Sequence, residues 1–255
     1  MVGVLQSELL SRHGFVHGFS LRTGGVSEGA FRSLNLGRSV GDGAAAVAEN
    51  LARFGEAVGF DPGRLYEVSQ AHGARAVTVH GGAVPEEVRL EQADAVVAAA
   101  PGLAVAVRVA DCVPVLLAHP GSGLAAAAHA GWRGCVARVV PAAIEALCRE
   151  AGARPEELLA VLGPHIRVGA FEVGEDVAQE LSAAAGGREV LLRGAGKPRA
   201  DLAGVLRAQL RALGMPEAHI EDVGGCTFSE PRRFFSYRRD GGRSGRHLAV
   251  IRSSG

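Results

Sequence analysis

The stretch from Val109 to Gly134, VADCVPVLLAHPGSGLAAAAHAGWRG, constrains the fold more than any other part of the chain. Two short apolar runs flank a Pro-Gly-Ser-Gly segment, a pattern that predicts a β-hairpin. With Gly121-Ser122 as the turn, Pro120 faces Gly123 and His129 falls opposite Pro114. Cys112 and His129 are then diagonal neighbours on one face, their β-carbons roughly 7–8 Å apart. A turn longer by one residue would put them on opposite faces. At that separation a thiol and an imidazole either share a metal ion or act as a nucleophile and its base. An isolated Cys or His in a strand is ordinarily core packing. Here Asp111 beside Cys112, and the glycine-flanked Trp132-Arg133 after His129, put polar groups where a plain strand stays apolar.

Around the hairpin the pattern alternates without regular βα repetition. Val16–Leu21 reads as a strand entering the turn Arg22-Thr23-Gly24-Gly25, followed by a polar loop to Gly43. In residues 44–58, Val47, Leu51, Phe54 and Val58 recur at helical spacing, with Asp42 available as cap. Leu65–Ser69 and Ala76–His80 are β-rich runs separated by Gln70-Ala71-His72-Gly73, which puts His72 in a turn between strands. Ala93–Ala100 and Leu103–Val109 are buried strands. Val136, Val140, Ile144 and Leu147 form the stripe of one helix kinked at Pro141. A short helix near 155–160, a strand ending at Gly163-Pro164, helices before Gly186-Gly187 and after Asp201, and a last strand at Leu248–Ile251 complete the pattern. This argues for one α+β domain over residues 1–255, with mixed sheets flanked by helices.

Composition excludes several classes of function. Lys+Arg and Asp+Glu both total 27, so no net field gathers nucleic acid or a membrane surface. Neither dinucleotide-binding nor P-loop glycine spacing occurs. The four cysteines form no C-x-x-C pair, which fits reduced thiols in a cytoplasm. The expectation is a cytoplasmic protein with no export segment and no membrane span.

A series of short motifs runs from Gly18-Phe19-Ser20, Arg22-Thr23-Gly24-Gly25-Val26-Ser27 and Ser33-Leu34-Asn35-Leu36-Gly37 through Gln70-Ala71-His72-Gly73, Ala93-Asp94-Ala95 and Ala110-Asp111-Cys112-Val113-Pro114. It continues in His129-Ala130-Gly131-Trp132-Arg133-Gly134, Gly163-Pro164, Phe171-Glu172-Val173 and Phe235-Ser236-Tyr237-Arg238-Arg239. In these motifs the chain resembles the bacterial multicopper polyphenol oxidase (laccase-domain) family, now associated with purine nucleoside phosphorylase activity. The resemblance implies a fold shared with toxin-like cysteine hydrolases and a metal site, usually zinc, on His72, Cys112 and His129. It also implies phosphorolysis of adenosine, inosine, guanosine and methylthioadenosine, together with adenosine deamination. Copper-dependent phenol oxidation and editing of cell-wall precursor peptides are associated with some members. Gly169-Ala170 stands where members often carry a cysteine, a departure that touches only the pocket wall.

Two histidines and a thiolate suit tetrahedral zinc with an open fourth position. A blue-copper site wants an axial ligand, usually Met, and this chain has Met only at positions 1 and 215. Nor does it contain the His-x-His pairs of a trinuclear copper cluster. Copper is therefore the secondary expectation. A phosphorylase must also hold an anion: Arg22, Arg133 and Arg243 lie in glycine-rich loops, and Arg133 stands beside an expected helix N-terminus. Asn35 either bonds ribose or fixes its loop. Two rivals remain, a metal-free amidase with Cys112 as nucleophile and His129 as base, and a structural zinc staple closed by Cys226 or His80.

Overall fold

The computed structural model describes residues 1–254. In chain order the strands are β1 (Val4–Leu5), β2 (Val16–Ser20), β3 (Leu65–Tyr66), β4 (Ala76–Val79), β5 (Ala95–Ala98), β6 (Ala104–Val109), β7 (Val113–Ala118), β8 (Ala125–Ala130), β9 (Leu159–Leu162), β10 (Leu191–Leu192), β11 (Arg199–Ala200), β12 (Ile220–Asp222) and β13 (His247–Arg252). The α-helices are α1 (Glu8–Arg12), α2 (Ala44–Val58), α3 (Pro85–Val88), α4 (Trp132–Val136), α5 (Val139–Ala151), α6 (Glu175–Ala184) and α7 (Leu202–Ala212). One sheet has the order β1-β2-β13-β6-β3, a second β12-β9-β7-β8-β5-β4, and β10 and β11 pair alone. Both large sheets mix parallel and antiparallel pairs, so the architecture is the α+β arrangement with mixed sheets and flanking helices that the sequence predicts.

Side-chain alternation sorts the strands into layers. Val96, Leu116, Ala118 and Ala127 of the six-stranded sheet meet Phe19, Val105, Val107 and Ile251 of the five-stranded sheet in one core. The other face of the six-stranded sheet, through Val97, Val115, Leu117 and Ala128, packs on Val140, Ile144 and Leu147 of α5 and on Leu181 and Leu206 of α6 and α7. Leu51, Phe54 and Val58 of α2 cover Ala104, Ala106 and Val250 on the outside of the five-stranded sheet. The result is helix, sheet, sheet, helix, with the β7–β8 hairpin buried at the centre. Leu116 and Leu117 point to opposite layers and are both fully buried, each contributing about 1.5–3 kcal/mol. No helix among the described residues is long and apolar enough to cross a membrane.

The structure corrects several local expectations. Gly121-Ser122 is not a two-residue turn: His119 and Leu124 close the hairpin, leaving a four-residue loop with Gly123 at φ +72°. Pro114 still pairs with His129, because a loop lengthened by one residue on each side keeps the register. The stripe from Val136 to Leu147 belongs to two helices, not one. The break falls at Arg138, whose φ is +65°, and Pro141 sits in the first turn of α5, where its missing N–H costs little. Asp42 does not cap α2; Gly43 does, and the Asp42 carboxylate instead accepts from Ser27 Oγ at 2.6 Å and Asn35 Nδ2 at 2.8 Å. The run Leu65–Ser69 keeps only its first two residues as strand, and the expected helix near 155–160 is a 3-10 turn, Pro155–Glu157, followed directly by β9.

Candidate metal centre

Three of the sequence-predicted residues meet at one end of the sandwich. His129 lies near the end of β8, Cys112 immediately precedes β7, and His72 stands in the loop between β3 and β4. One potential ligand atom from each lies within 4.8 Å of the others. Zinc bonds of about 2.0–2.3 Å space tetrahedral ligands about 3.5 Å apart, so closing the set takes roughly 1 Å of movement. His72 has φ +61° and Asp111 has φ +92°, conformations that aim His72 and the neighbouring Cys112 inward and that the surrounding bonds must hold. A β-carbon on Gly131 would stand 3.0 Å from Cys112 Sγ and 3.2 Å from His72 Cδ2, so glycine leaves the space between these donors clear. Among the described residues neither His80 nor Cys226 joins the group.

Asp94 organises the centre. Its carboxylate is fully buried and accepts N–H bonds from Ala71 at 3.1 Å, His72 at 2.9 Å and Gly73 at 2.6 Å. The same carboxylate lies 2.8 Å from His129 Nδ1, which fixes that nitrogen as donor and leaves Nε2 for the centre. One carboxylate therefore sets both the loop that carries His72 and the tautomer of His129. Asp111 holds the other side, accepting from Thr227 Oγ1 at 2.6 Å and from the Arg238 N–H at 2.7 Å.

The electrostatics bind the donors into a unit. Burial pushes the Cys112 thiol up, but the His129 charge and hydrogen bonds from His129 and His72 outweigh it and hold the thiol down at about 6. Burial pulls the His129 imidazole down, yet the Cys112 charge and the Asp94 bond hold it up at about 9. In water alone this is a thiolate beside an imidazolium. A thiolate and an imidazole Nε2 are also the donors zinc prefers, so the residues present fit that ion.

The other predicted residues are placed differently. Arg22 spends its guanidinium on carbonyls, those of Arg32 at 2.9 and 3.1 Å and Pro231 at 2.8 Å, and lies 4.5 Å over the Phe235 ring. Asn35 is fully buried; Nδ2 donates to Gly37 O and Asp42 Oδ2, and Oδ1 accepts from Gly37 and Arg246 N–H. Arg133 is exposed, its guanidinium 4.5 Å over Trp132, on a helix of only five residues that follows His129 in the chain. Arg243 is exposed in the loop before β13. The organising role of Asp94 escapes reading along the chain, although a lone carboxylate entering the apolar run of β5 is the signal that marks it.

Comparison with known proteins gives the chain a family. Residues 16–254 match the family described as multi-copper polyphenol oxidoreductase laccase. A Deinococcus radiodurans protein named purine nucleoside phosphorylase is 42% identical over 236 residues, covering 92% of this chain and 88% of its own. A protein named adenosine deaminase RL5, from an unknown prokaryotic organism, is 35% identical over 92% of this chain and 93% of its own. The crystal structure of YlmD from Geobacillus stearothermophilus superposes with a TM-score of 0.91 at 30% identity, covering 99% of this chain and 97% of that one. The match spans all three donor residues, and the chain belongs to the multi-copper polyphenol oxidoreductase laccase family.

Proposed function

We propose that the chain, acting as one domain over residues 1–255, is a cytoplasmic purine nucleoside phosphorylase with adenosine deamination as a second activity. Its substrates are adenosine, inosine, guanosine or methylthioadenosine together with phosphate, and His72, Cys112 and His129 hold a zinc ion. The convergence of these three donors around an open space carries the reading. The names of relatives 35% and 42% identical over nearly the whole chain support its substrate class. A bound zinc ion supplies a Lewis acid for substrate oxygen and lowers the pKa of a bound water.

The chain's own residues do the rest. Asp94 keeps the proton of His129 on Nδ1 and fixes the His72 loop, so the site is built before substrate arrives. In phosphorolysis a phosphate oxygen bonds to C1′ while the C1′–N9 pair leaves with the purine, which takes up one proton. Arg133, four residues along the chain from His129 and exposed, is the side chain assigned to the anionic reactant. Copper at the same three donors is the secondary metal. Among the described residues no second donor group exists to build a multinuclear centre.

One observation favours a second reading. The thiol held down at about 6 beside an imidazole held up at about 9 is the charge state of a Cys–His nucleophile pair. On that reading Cys112 attacks an amide, as in the editing of cell-wall precursor peptides, and needs no metal.

Chromatography of adenosine and phosphate incubated with the protein decides between them. Adenine with ribose 1-phosphate, plus inosine from deamination, is the expected outcome, falling by roughly 10²–10⁴-fold in Cys112→Ala. If zinc binds stoichiometrically and neither purine nor inosine forms, the nucleoside reading is wrong and amide substrates take its place.

A further inference from the structure

We propose that Arg246, a residue outside the donor set, is the phosphate-binding residue of this site, an inference that rests on the phosphorylase reading for its reaction but not for its ligand. Arg246 directly precedes β13, whose first residue, His247, pairs with Val109 at the end of β6, three positions before Cys112. The Arg246 backbone N–H donates to Asn35 Oδ1 at 2.9 Å, and its side chain runs over Gly37, where a β-carbon would stand 2.8 Å from Arg246 Cγ. Nη1 donates to the carbonyls of Ser244 at 2.7 Å and Gly245 at 3.1 Å. The guanidinium lies 5.5 Å from the centre of the Tyr237 ring, and the next residue, Arg238, donates its N–H to Asp111 beside Cys112. Backbone, stem and head are therefore fixed, and they are fixed next to the candidate centre.

The head is nevertheless unspent. Arg167 is matched by Asp222, Arg239 by Asp240 and Arg108 by Glu67. Among the described residues no carboxylate forms an ion pair with Arg246, and Nε and Nη2 have no acceptor within hydrogen-bonding distance. Burial lowers the Arg246 pKa, opposed by Tyr237, Cys112 and Asp111, so the uncompensated cation lies within electrostatic reach of the thiol. A half-buried guanidinium without a counter-charge is costly, and a bound dianion offsets that cost. The free Nε and Nη2 are the edge that receives two phosphate oxygens side by side. So held, phosphate needs no further ordering to form the bond to C1′ as the purine departs with the C1′–N9 pair and one proton.

The test is calorimetric titration of inorganic phosphate into wild type, Arg246→Gln and Arg246→Lys, with steady-state kinetics on the same samples and melting temperatures to establish folding. Arg246→Gln is expected to weaken phosphate binding and raise the phosphate KM by about 10–100-fold. The phosphate KM rises more than the adenosine KM, because only the first ligand needs the guanidinium. Arg246→Lys, which keeps the charge and loses the fork, falls between. Phosphate binding as tight in Arg246→Gln as in wild type overturns the proposal, as does a wild-type protein that binds no phosphate. Binding that depends on Arg246 in a protein that releases no purine upholds the anion site and sinks the phosphorylase reading instead.

Discussion

The polar loop from Arg22 to Gly43 and the rim around Cys112 have similar compositions, rich in glycine, arginine and small polar residues, yet they are wired in opposite ways. In the loop the polar groups are spent on one another. Asn50 of α2 donates Nδ2 to Ser27 Oγ, Ser33 O and Asn35 O and accepts the Val26 N–H, while Arg22 is absorbed by carbonyls. At the rim the shaping bonds come from behind, through Asp94 and Asp111, and the inward atoms of His72, Cys112 and His129 stay free of protein hydrogen-bond partners other than one another. A polar group that is fully bonded holds backbone, and one that is held from behind and free in front is placed for a ligand.

That contrast predicts which substitutions cost activity and which cost stability. The largest effect is at Cys112: its removal should abolish turnover, as above, while the melting temperature shifts by no more than a few degrees, because no backbone bond depends on Sγ. A large loss of stability in Cys112→Ala would place the thiol with the structural groups. Asp94→Asn should act on both scales at once. Losing the carboxylate behind His129 lowers metal affinity by about 10–100-fold. Breaking its set of backbone bonds costs about 1–3 kcal/mol. Titration with a competing chelator and urea denaturation read the two effects separately, and an effect on only one of them would contradict the double role. Asn50→Ala should lower the urea-unfolding free energy by about 1–3 kcal/mol through buried partners left unmet. Turnover per folded molecule should be preserved, and a selective loss of turnover would erase the distinction between the two regions.

Acid acts on neither region but on three buried histidines. His247 accepts the Phe235 N–H at 2.8 Å and His17 accepts the Ser7 N–H at 2.7 Å, so both rings are neutral in the fold. His165 is fully buried with Nδ1 against Gly163 O. Burial lowers all three pKa values, His165 to about 4 and His247 to about 3. The unfolded chain binds protons near 6.5 that these three folded rings refuse, so their contribution to stability is complete above that pH and declines as pH falls toward about 4. Each group contributes a slope of up to about 1.4 kcal/mol per pH unit. Urea midpoints at pH 7 and pH 5 measure it, and a midpoint that rises at pH 5 would mean these rings are protonated in the fold.

Much of the fold is legible along the chain because its central strands are mostly apolar and its longer helices amphipathic. The hairpin register survives a mistaken turn, since only parity decides which face Cys112 and His129 share. The break between α4 and α5 is not legible: it depends on a left-handed Arg138, a conformation that nothing in an arginine announces. The short β12 is parallel to β9, each residue pairing with one 60 positions earlier, and has no local pattern to betray it. At the site, spacing points to Cys112 and His129 and the family resemblance adds His72, whereas Asp94 and Arg246 are defined by what they touch. Arg243 and Arg246 look alike in Gly-Gly-Arg-Ser-Gly-Arg. Only the contacts with Asn35, Gly37 and Tyr237 separate them.

The central claim is that His72, Cys112 and His129 act together as a metal centre, and metal analysis alongside turnover tests it most directly. Protein purified without added metal should carry about one zinc ion per chain, and His129→Ala should lose both ion and activity together. Full turnover in wild-type protein stripped of metal would contradict the account and leave Cys112 and His129 as a nucleophile and its base.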